Sequence, residues 1–231
     1  MWQSIKDDID GFLQRDPAAR NALEIALCYP GFHALQFHRA AHFLWGSGLK
    51  LIARWLSQVG RFLTGIEIHP SVSIGKSLVI DHGYGVVIGE TSKIGDRVTI
   101  YQGVTLGGTT TEKGHRHPYI GNDVIIGAGA QVLGPIMVKD GARIGANAVV
   151  VKDVEIGETV VGIPAKPVMQ RGVVPENFTA YGTPCDEKSD PVLLELQLLR
   201  QEVASLKQKI ESMSGSEPLP PVSGTEQRHD T

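Results

Sequence analysis

An aliphatic side chain returns at every sixth position along residues 66–162, with small and polar residues filling the steps between. Counting from Ile68, the register runs Ile74, Ile80, Ile88, Ile94, Ile100, Leu106, Ile120, Ile126, Val132, Val138, Ile144, Val150 and Ile156. Gly follows the aliphatic residue at 75, 89, 95, 107, 121, 127, 145 and 157. A short self-similar period of this kind marks a solenoid. One aliphatic per six residues fits one side of a parallel β-helix, so three hexapeptides close one triangular coil. The aliphatics then stack inward as ladders, and Gly and small polar residues turn the corners. A sandwich with Gly-rich turns would alternate with a period of two instead.

The register breaks twice. Between Ile80 and Ile88 the step is eight, across Asp81-His82-Gly83-Tyr84-Gly85-Val86-Val87. Between Leu106 and Ile120 it is fourteen, across Gly-Gly-Thr-Thr-Thr-Glu-Lys-Gly-His-Arg-His-Pro-Tyr. A solenoid accepts insertions only where they leave it as loops, and such loops commonly form the binding face. Both breaks are rich in His, Asp, Arg and Gly, so the chemistry is expected there.

Upstream, the pattern changes to a helical one. Trp2, Ile5, Ile9, Phe12 and Leu13 share one face over residues 1–15. Asp16-Pro17 predicts an N-cap with Pro at the first helical position, opening a second helix that runs to about Cys28. After Tyr29-Pro30-Gly31, a third helix is expected from Phe32 to about Leu44 and a fourth from Leu49 to Leu63. His38 and His42, at i and i+4, form a metal-like pair with no third ligand in register. Downstream, Val161-Gly-Ile-Pro-Ala-Lys-Pro closes the solenoid with two prolines. The fold class is therefore α+β: a small helical N-terminal domain over 1–64, a β-helix domain over 65–170, a linker over 171–190, an amphipathic helix over 191–214 and a disordered Ser/Pro/Gly-rich tail over 215–231. The C-terminal helix reads as heptads. Leu196, Val203 and Ile210 take position a, Val192, Leu199, Leu206 and Met213 take d, Glu195 and Glu202 fall at g, and Arg200 and Lys207 fall at e.

Composition narrows the class. The 231 residues are 42% hydrophobic with a net charge of −3, which gives no bulk attraction to nucleic acid or an anionic membrane. No apolar run reaches the ~18 residues of a membrane span, and the acidic, amphipathic N-terminus is not a signal peptide. Cys28 and Cys185 stand in unrelated contexts, as reduced thiols of a cytoplasmic protein would.

At the register breaks the chain resembles a known family. Glu67-Ile-His-Pro, Leu78-Val-Ile-Asp81-His82-Gly, Val104-Thr-Leu-Gly-Gly-Thr109, Arg116-His117-Pro118 and Gly162-Ile-Pro-Ala165 are similar to the serine O-acetyltransferases among the hexapeptide-repeat acyltransferases. Arg15-Asp16-Pro17-Ala18 and Gly31-Phe-His-Ala-Leu-Gln36 extend the resemblance upstream, so it covers roughly residues 15–170. It implies a left-handed β-helix, acetyl transfer from acetyl-CoA as co-substrate to the hydroxyl of L-serine, and O-acetylserine as product for cysteine synthesis. No bound cofactor and no metal are implied.

The resemblance also implies roles. His82 is the expected general base, since a serine hydroxyl needs its proton removed as it attacks a thioester and histidine titrates near working pH. Such a base has its other ring nitrogen held by an acceptor, here Glu67, at a position where family members often carry Asp. Asp81 and Asp16 face the substrate ammonium, Arg116 grips its carboxylate and His117 meets the hydroxyl region. An N-cap role explains Asp16 equally well. Gly108 is the candidate backbone donor to the oxyanion, with corner-turning as the other reading. Ala128 is placed along the pantetheine arm, and Lys166 at the CoA phosphates alongside Lys139, Arg143 and Lys152.

A CoA groove between neighbouring prisms implies a homotrimer. Longer members pair two trimers through a larger N-terminal domain than this one, and L-cysteine is the expected feedback inhibitor. Members that bind O-acetylserine sulfhydrylase end in Ile, whereas this chain ends Gln-Arg-His-Asp-Thr231 and does not match that docking mode. Three other readings stand beside this one. They are acetyl transfer to homoserine or a sugar, a zinc-dependent β-helix lyase drawing on His69, His82 and His117, and a non-catalytic scaffold that binds the sulfhydrylase. An intact Glu67/His82 pair argues against the scaffold.

Overall fold

The computed structural model describes residues 2–168 and 191–213. The linker expected over 171–190, Cys185 and the C-terminal tail lie outside the described residues. Four helices open the chain: α1 (Trp2–Arg15), α2 (Ala22–Cys28), α3 (Pro30–Gly46) and α4 (Lys50–Thr64). The second helix starts later than the sequence suggested. Its N-cap is Asn21, whose side chain accepts the Glu24 N–H at 3.0 Å, and not Asp16. Asp16 makes an Asx turn instead, accepting the Ala18 N–H at 2.8 Å. Pro30 sits in the first turn of α3, where its missing N–H costs nothing, and α4 ends on Gly65 in the left-handed region at φ 72°.

From Glu67 on, strands of two or three residues cycle through three sheets. Sheet A takes β1 (Glu67–Ile68), β4 (Val87–Ile88), β7 (Thr105–Gly107), β10 (Gln131–Leu133) and β13 (Val149–Val150). Sheet B takes β2 (Ser73–Ile74), β5 (Lys93–Ile94), β8 (Tyr119–Ile120) and β11 (Met137–Val138). Sheet C takes β3 (Val79–Ile80), β6 (Thr99–Ile100), β9 (Ile125–Ile126), β12 (Arg143–Ile144), β14 (Thr159–Val161) and β15 (Lys166–Pro167). All pairings are parallel except β14 with β15. Every coil but the last thus lays one strand on each of three faces.

The hexad aliphatics are the core of this prism. Ile68, Ile88, Leu106, Val132 and Val150 stack behind sheet A, and Ile80, Ile100, Ile126, Ile144 and Val160 behind sheet C. All ten are buried. The register departs from expectation at its end: Ile156 is 75% exposed. Val154 takes the inward place through a single bridge to Val138, because the last coil is too short for a full strand there. Both register breaks emerge at edges. Glu67 pairs with Val87, twenty residues on, where the regular step from Val87 to Thr105 is eighteen. Thr105 pairs with Gln131, twenty-six on.

The helices and the prism form one compact unit, and α5 (Pro191–Met213) belongs to a second. Arg15 ties α1 to the prism. Its guanidinium donates to the Val98 carbonyl at 3.0 Å, to Thr99 Oγ1 at 3.1 Å and to the Ser77 carbonyl, and burial lowers its pKa to about 10. At the other end of the helical layer, the fully buried Asp8 takes Arg39 at 2.6 Å. His38 and His42 pack with ring centroids 5.5 Å apart. His42 Nδ1 bonds the Pro70 carbonyl at 2.8 Å, and no group of three metal-ligating side chains occurs among the described residues. No helix among them is long and apolar enough to cross a membrane.

Burial, reinforced by the charges of His42 and Arg39, lowers the pKa of His38 to about 3. An unfolded chain binds a proton at His38 below its ordinary pKa of about 6.5. The folded chain does not, so stability falls as pH drops from there toward 3. The slope for this one group is at most about 1.4 kcal/mol per pH unit. Urea midpoints between pH 7 and pH 5 should therefore decline less steeply for His38→Gln than for the wild type. Equal slopes would remove His38 from the acid response.

Candidate functional site

The first register break leaves the prism where sheet C passes to sheet A. Asp81 is half-buried at the end of β3, and His82 follows it, exposed, with its backbone held in the left-handed region at φ 57°. The helical layer delivers Asp16 to the same edge. The Arg15 clamp fixes the end of α1, and Asp16 comes next in the chain. Gly31 seats the start of α3 directly on the prism: a Cβ there would stand 2.0 Å from the Ile80 carbonyl oxygen. That contact sets Tyr29, whose hydroxyl donates to Asp16 Oδ2 at 2.8 Å.

The charges at this edge interact. Burial raises the Asp81 pKa, the His82 charge lowers it, and the Asp16 carboxylate raises it again. Burial and the bond to Asp16 likewise raise the Tyr29 hydroxyl. Two carboxylates crowded together and partly desolvated form a place for a cation. Ala128 lies further along the same edge, where its carbonyl accepts the Asn147 N–H at 2.8 Å.

The second register break leaves where sheet A passes to sheet B. Thr91, one coil above, organises it: Thr91 Oγ1 accepts the backbone N–H groups of Arg116 and His117, each at 3.1 Å. His117 is buried, its ring lying so close to Gly89 that a Cβ there would sit 2.1 Å away. Its Nδ1 accepts the Thr91 N–H at 3.2 Å, which leaves the proton of the neutral ring on Nε2. Burial first, then the Arg116 charge, lowers its pKa and keeps it neutral. The Arg116 guanidinium pairs with Glu90 at 2.6 Å. Gly108 approaches this arm closely, since a Cβ would meet the Arg116 carbonyl at 3.1 Å and its side chain at 3.2 Å.

The candidate residues thus fall into two clusters on two edges of one prism, with sheet A between them. Asp16, Asp81, His82 and Ala128 share the C–A edge; Gly108, Arg116 and His117 share the A–B edge. Glu67 stands on sheet A itself. Its carboxylate reaches the Arg61 guanidinium at 3.2 Å, and no hydrogen bond joins it to His82 among the described residues. Glu67 also borders a cavity of about 620 Å³ together with Trp45, Arg54, Glu90, Arg116 and His117. Lys166 lies in β15 on sheet C, on neither edge. His69 bonds Ser71 Oγ at 2.7 Å, two coils from His117 on the A–B edge, while His82 is on the other edge.

Sequence reasoning missed Tyr29, Glu90 and Thr91. Tyr29 was passed over as part of a helix break. Glu90 and Thr91 sit in a regular hexapeptide step, and only the stacking of coils puts them against the second break.

Residues 117–152 match the family described as bacterial transferase hexapeptide (six repeats), and residues 1–37 match serine acetyltransferase, N-terminal. A serine acetyltransferase of Bacillus pumilus is 49% identical over 213 residues, covering 91% of this chain and 98% of its own. One from Helicobacter pylori is 60% identical over 160 residues, 69% of this chain and 94% of its own. Among solved structures, Neisseria gonorrhoeae serine acetyltransferase in complex with serine superposes with a TM-score of 0.71 at 43% identity, over 73% of this chain and 69% of that one. Serine acetyltransferase complexes with cysteine and with CoA superpose with TM-scores of 0.72 and 0.69, at 43% and 42% identity. They cover 73% and 72% of this chain and 65% and 68% of theirs.

Because the α3 seat admits no Cβ, Gly31→Ala should destabilise the fold by about 1–3 kcal/mol, the usual cost of overpacking. The same change should loosen Tyr29 from Asp16. A urea midpoint unchanged from wild type would show that the helix can shift without loss.

Proposed function

The chain belongs to the serine acetyltransferases, enzymes that move acetyl from acetyl-CoA to the hydroxyl of L-serine, and on that premise we propose that its site is completed between two copies of the chain. The observation that carries this is the division of the candidate residues between two edges. In a homotrimer of left-handed prisms, the C–A edge of one protomer faces the A–B edge of the next. Asp81, Asp16 and His82 then come from one copy, and Arg116, His117 and Gly108 from the other. The surface beside both clusters suits such an interface. On α4, Leu51, Trp55 and Phe62 are 84%, 66% and 88% exposed, and Tyr84 next to the first break is 79% exposed. Apolar area of this extent is normally covered by a partner.

Serine enters with its ammonium against Asp81 and Asp16 and its carboxylate on Arg116. Arg116 exchanges Glu90 for the substrate, and the raised pKa of Asp81 falls as the cation arrives. His82 takes the hydroxyl proton as the oxygen attacks the thioester carbonyl carbon, and Glu67, turning from Arg61, steadies the imidazolium that forms. The Nε2–H of His117 is placed to hold the serine oxygen in line. Negative charge on the carbonyl oxygen is met by backbone N–H at Gly108. The C–S bond then breaks, and His82 returns the proton to the departing CoA sulfur, leaving O-acetylserine. CoA lies along the C–A edge past Ala128, with Lys166 near its phosphates, and the enzyme works in the cytoplasm. L-Cysteine, differing from serine at one atom, fits the same ammonium and carboxylate contacts and acts as inhibitor.

His82→Ala and Arg116→Ala should each lower kcat/KM by about a hundredfold or more. Mixed within one oligomer, the two variants should restore activity at on the order of a quarter of the sites, since a random interface pairs intact His82 with intact Arg116 that often. Thiol release from acetyl-CoA is the readout. No recovery on mixing, with mixed oligomers verified, would mean that each site lies within one copy.

Inhibition by cysteine should be competitive with serine. Arg116→Ala should weaken cysteine inhibition and serine binding together, by on the order of 30-fold or more, the cost of losing one partner of a desolvated charge pair. Noncompetitive inhibition that survives this substitution would place the cysteine site elsewhere.

A further inference from the structure

Helix α5 carries an apolar stripe along one side. Every residue from 198 to 210 is exposed, and Leu199, Val203, Leu206 and Ile210 are each at least half exposed. Their alternating spacing of four and three places them along one side of the helix, at heptad positions d, a, d and a. A helix alone in water is marginal, and α5 begins a compact unit of its own at Val192. A matching surface must therefore cover the stripe.

The flanking charges say which surface it is. Arg200 and Lys207 occupy both described e positions, and Glu202 and Lys209 the described g positions. An antiparallel partner of the same sequence would set e against e′, cation against cation. A parallel one sets g against the e′ five residues on, which brings Glu202 opposite Lys207. The antiparallel arrangement offsets its e–e′ repulsion with an attraction of Glu202 for Lys209 across g and g′, whereas the parallel one carries the attraction alone.

We propose that α5 is a strand of a parallel homotypic coiled coil, its Leu199, Val203, Leu206 and Ile210 packing against the same residues of further copies of this chain. The number of strands rests on the trimer proposed above; the meeting of stripe with stripe does not. Rotation about a threefold axis makes three such helices parallel by symmetry. Val203 and Ile210 at a with Leu at d favour two strands in isolation, so the third is recruited by the local concentration that the trimer creates. The coil ties the subunits together at a second place along the chain, apart from the residues of the two edges.

The test uses the full chain with Cys28→Ser and Cys185→Ser, so that one introduced thiol is the only one per subunit. Under glutathione disulfide, Leu206→Cys, at d, should give at least fivefold more covalent dimer than Gln208→Cys, on the outer f position. The yield should not fall on dilution. Glu202→Lys or Lys207→Glu alone should reduce the Leu206→Cys yield, and the two together should restore it. Equal crosslinking at 206 and 208, whether because α5 folds back on its own subunit or meets nothing, overturns the proposal. Failure of the double charge reversal to restore the yield overturns the parallel register. The His82/Arg116 mixing experiment separates the two readings. Crosslinking without complementation leaves the coil standing without the shared site, and complementation without crosslinking does the reverse.

Discussion

Each coil of this protein must bring three aliphatic side chains back onto the stack left by the coil before it. That constraint governs the rest. The interior of the prism has no room for an extra residue, because Ile88 has to land on Ile68 and Val132 on Leu106. Added chain can leave only at an edge, and its two longest departures are the loops that hold Asp81 and His82 and Arg116 and His117. A rigid apolar column thereby sets the spacing of polar groups that never touch it. Side chains on such a scaffold hold their positions better than they would on free loops.

The helical layer is bound to that column by specific contacts as well as apolar ones. Arg15 meets two prism carbonyls and a hydroxyl, Ser77 returns a bond to the Asp7 carbonyl at 2.9 Å, and Ser57 donates to the Ile68 carbonyl at 2.8 Å. Gly31 lets α3 approach to backbone contact. These bonds fix the rotation of the helices relative to the prism, which burial alone would leave loose. Asp16 reaches Asp81 for this reason: it is one residue past an anchored arginine and is held from the far side by Tyr29.

The β-helix was legible in the sequence because its period is local: the aliphatic that recurs every six residues needs no knowledge of distant partners. The register failed only at Ile156, where a short coil substitutes Val154 and hydrophobicity alone does not reveal the slip. The loops were legible as interruptions of the same period. The Asp16 cap was misread because Asp-Pro is a strong local signal, yet the chain there is occupied by an Asx turn and by Tyr29 thirteen residues away. The roles of Thr91 and Glu90 depend on which coil lies above which, and Glu67 turns toward Arg61 for the same kind of reason. A motif names the residues of a site, but the partner each one holds is a tertiary fact.

His82 sits at φ 57°, a conformation that a side chain with a Cβ adopts only at a cost of order 1–3 kcal/mol. The corner would be easier to build with glycine, as it is at Gly83 and Gly85 on either side of Tyr84. The chain therefore carries, at the position proposed to move a proton, a residue that the turn itself disfavours. Selection for a more stable prism and selection for turnover pull in opposite directions here. A search for heat-resistant variants of this protein would be drawn to position 82 and, on the role proposed for His82, would find dead enzymes there.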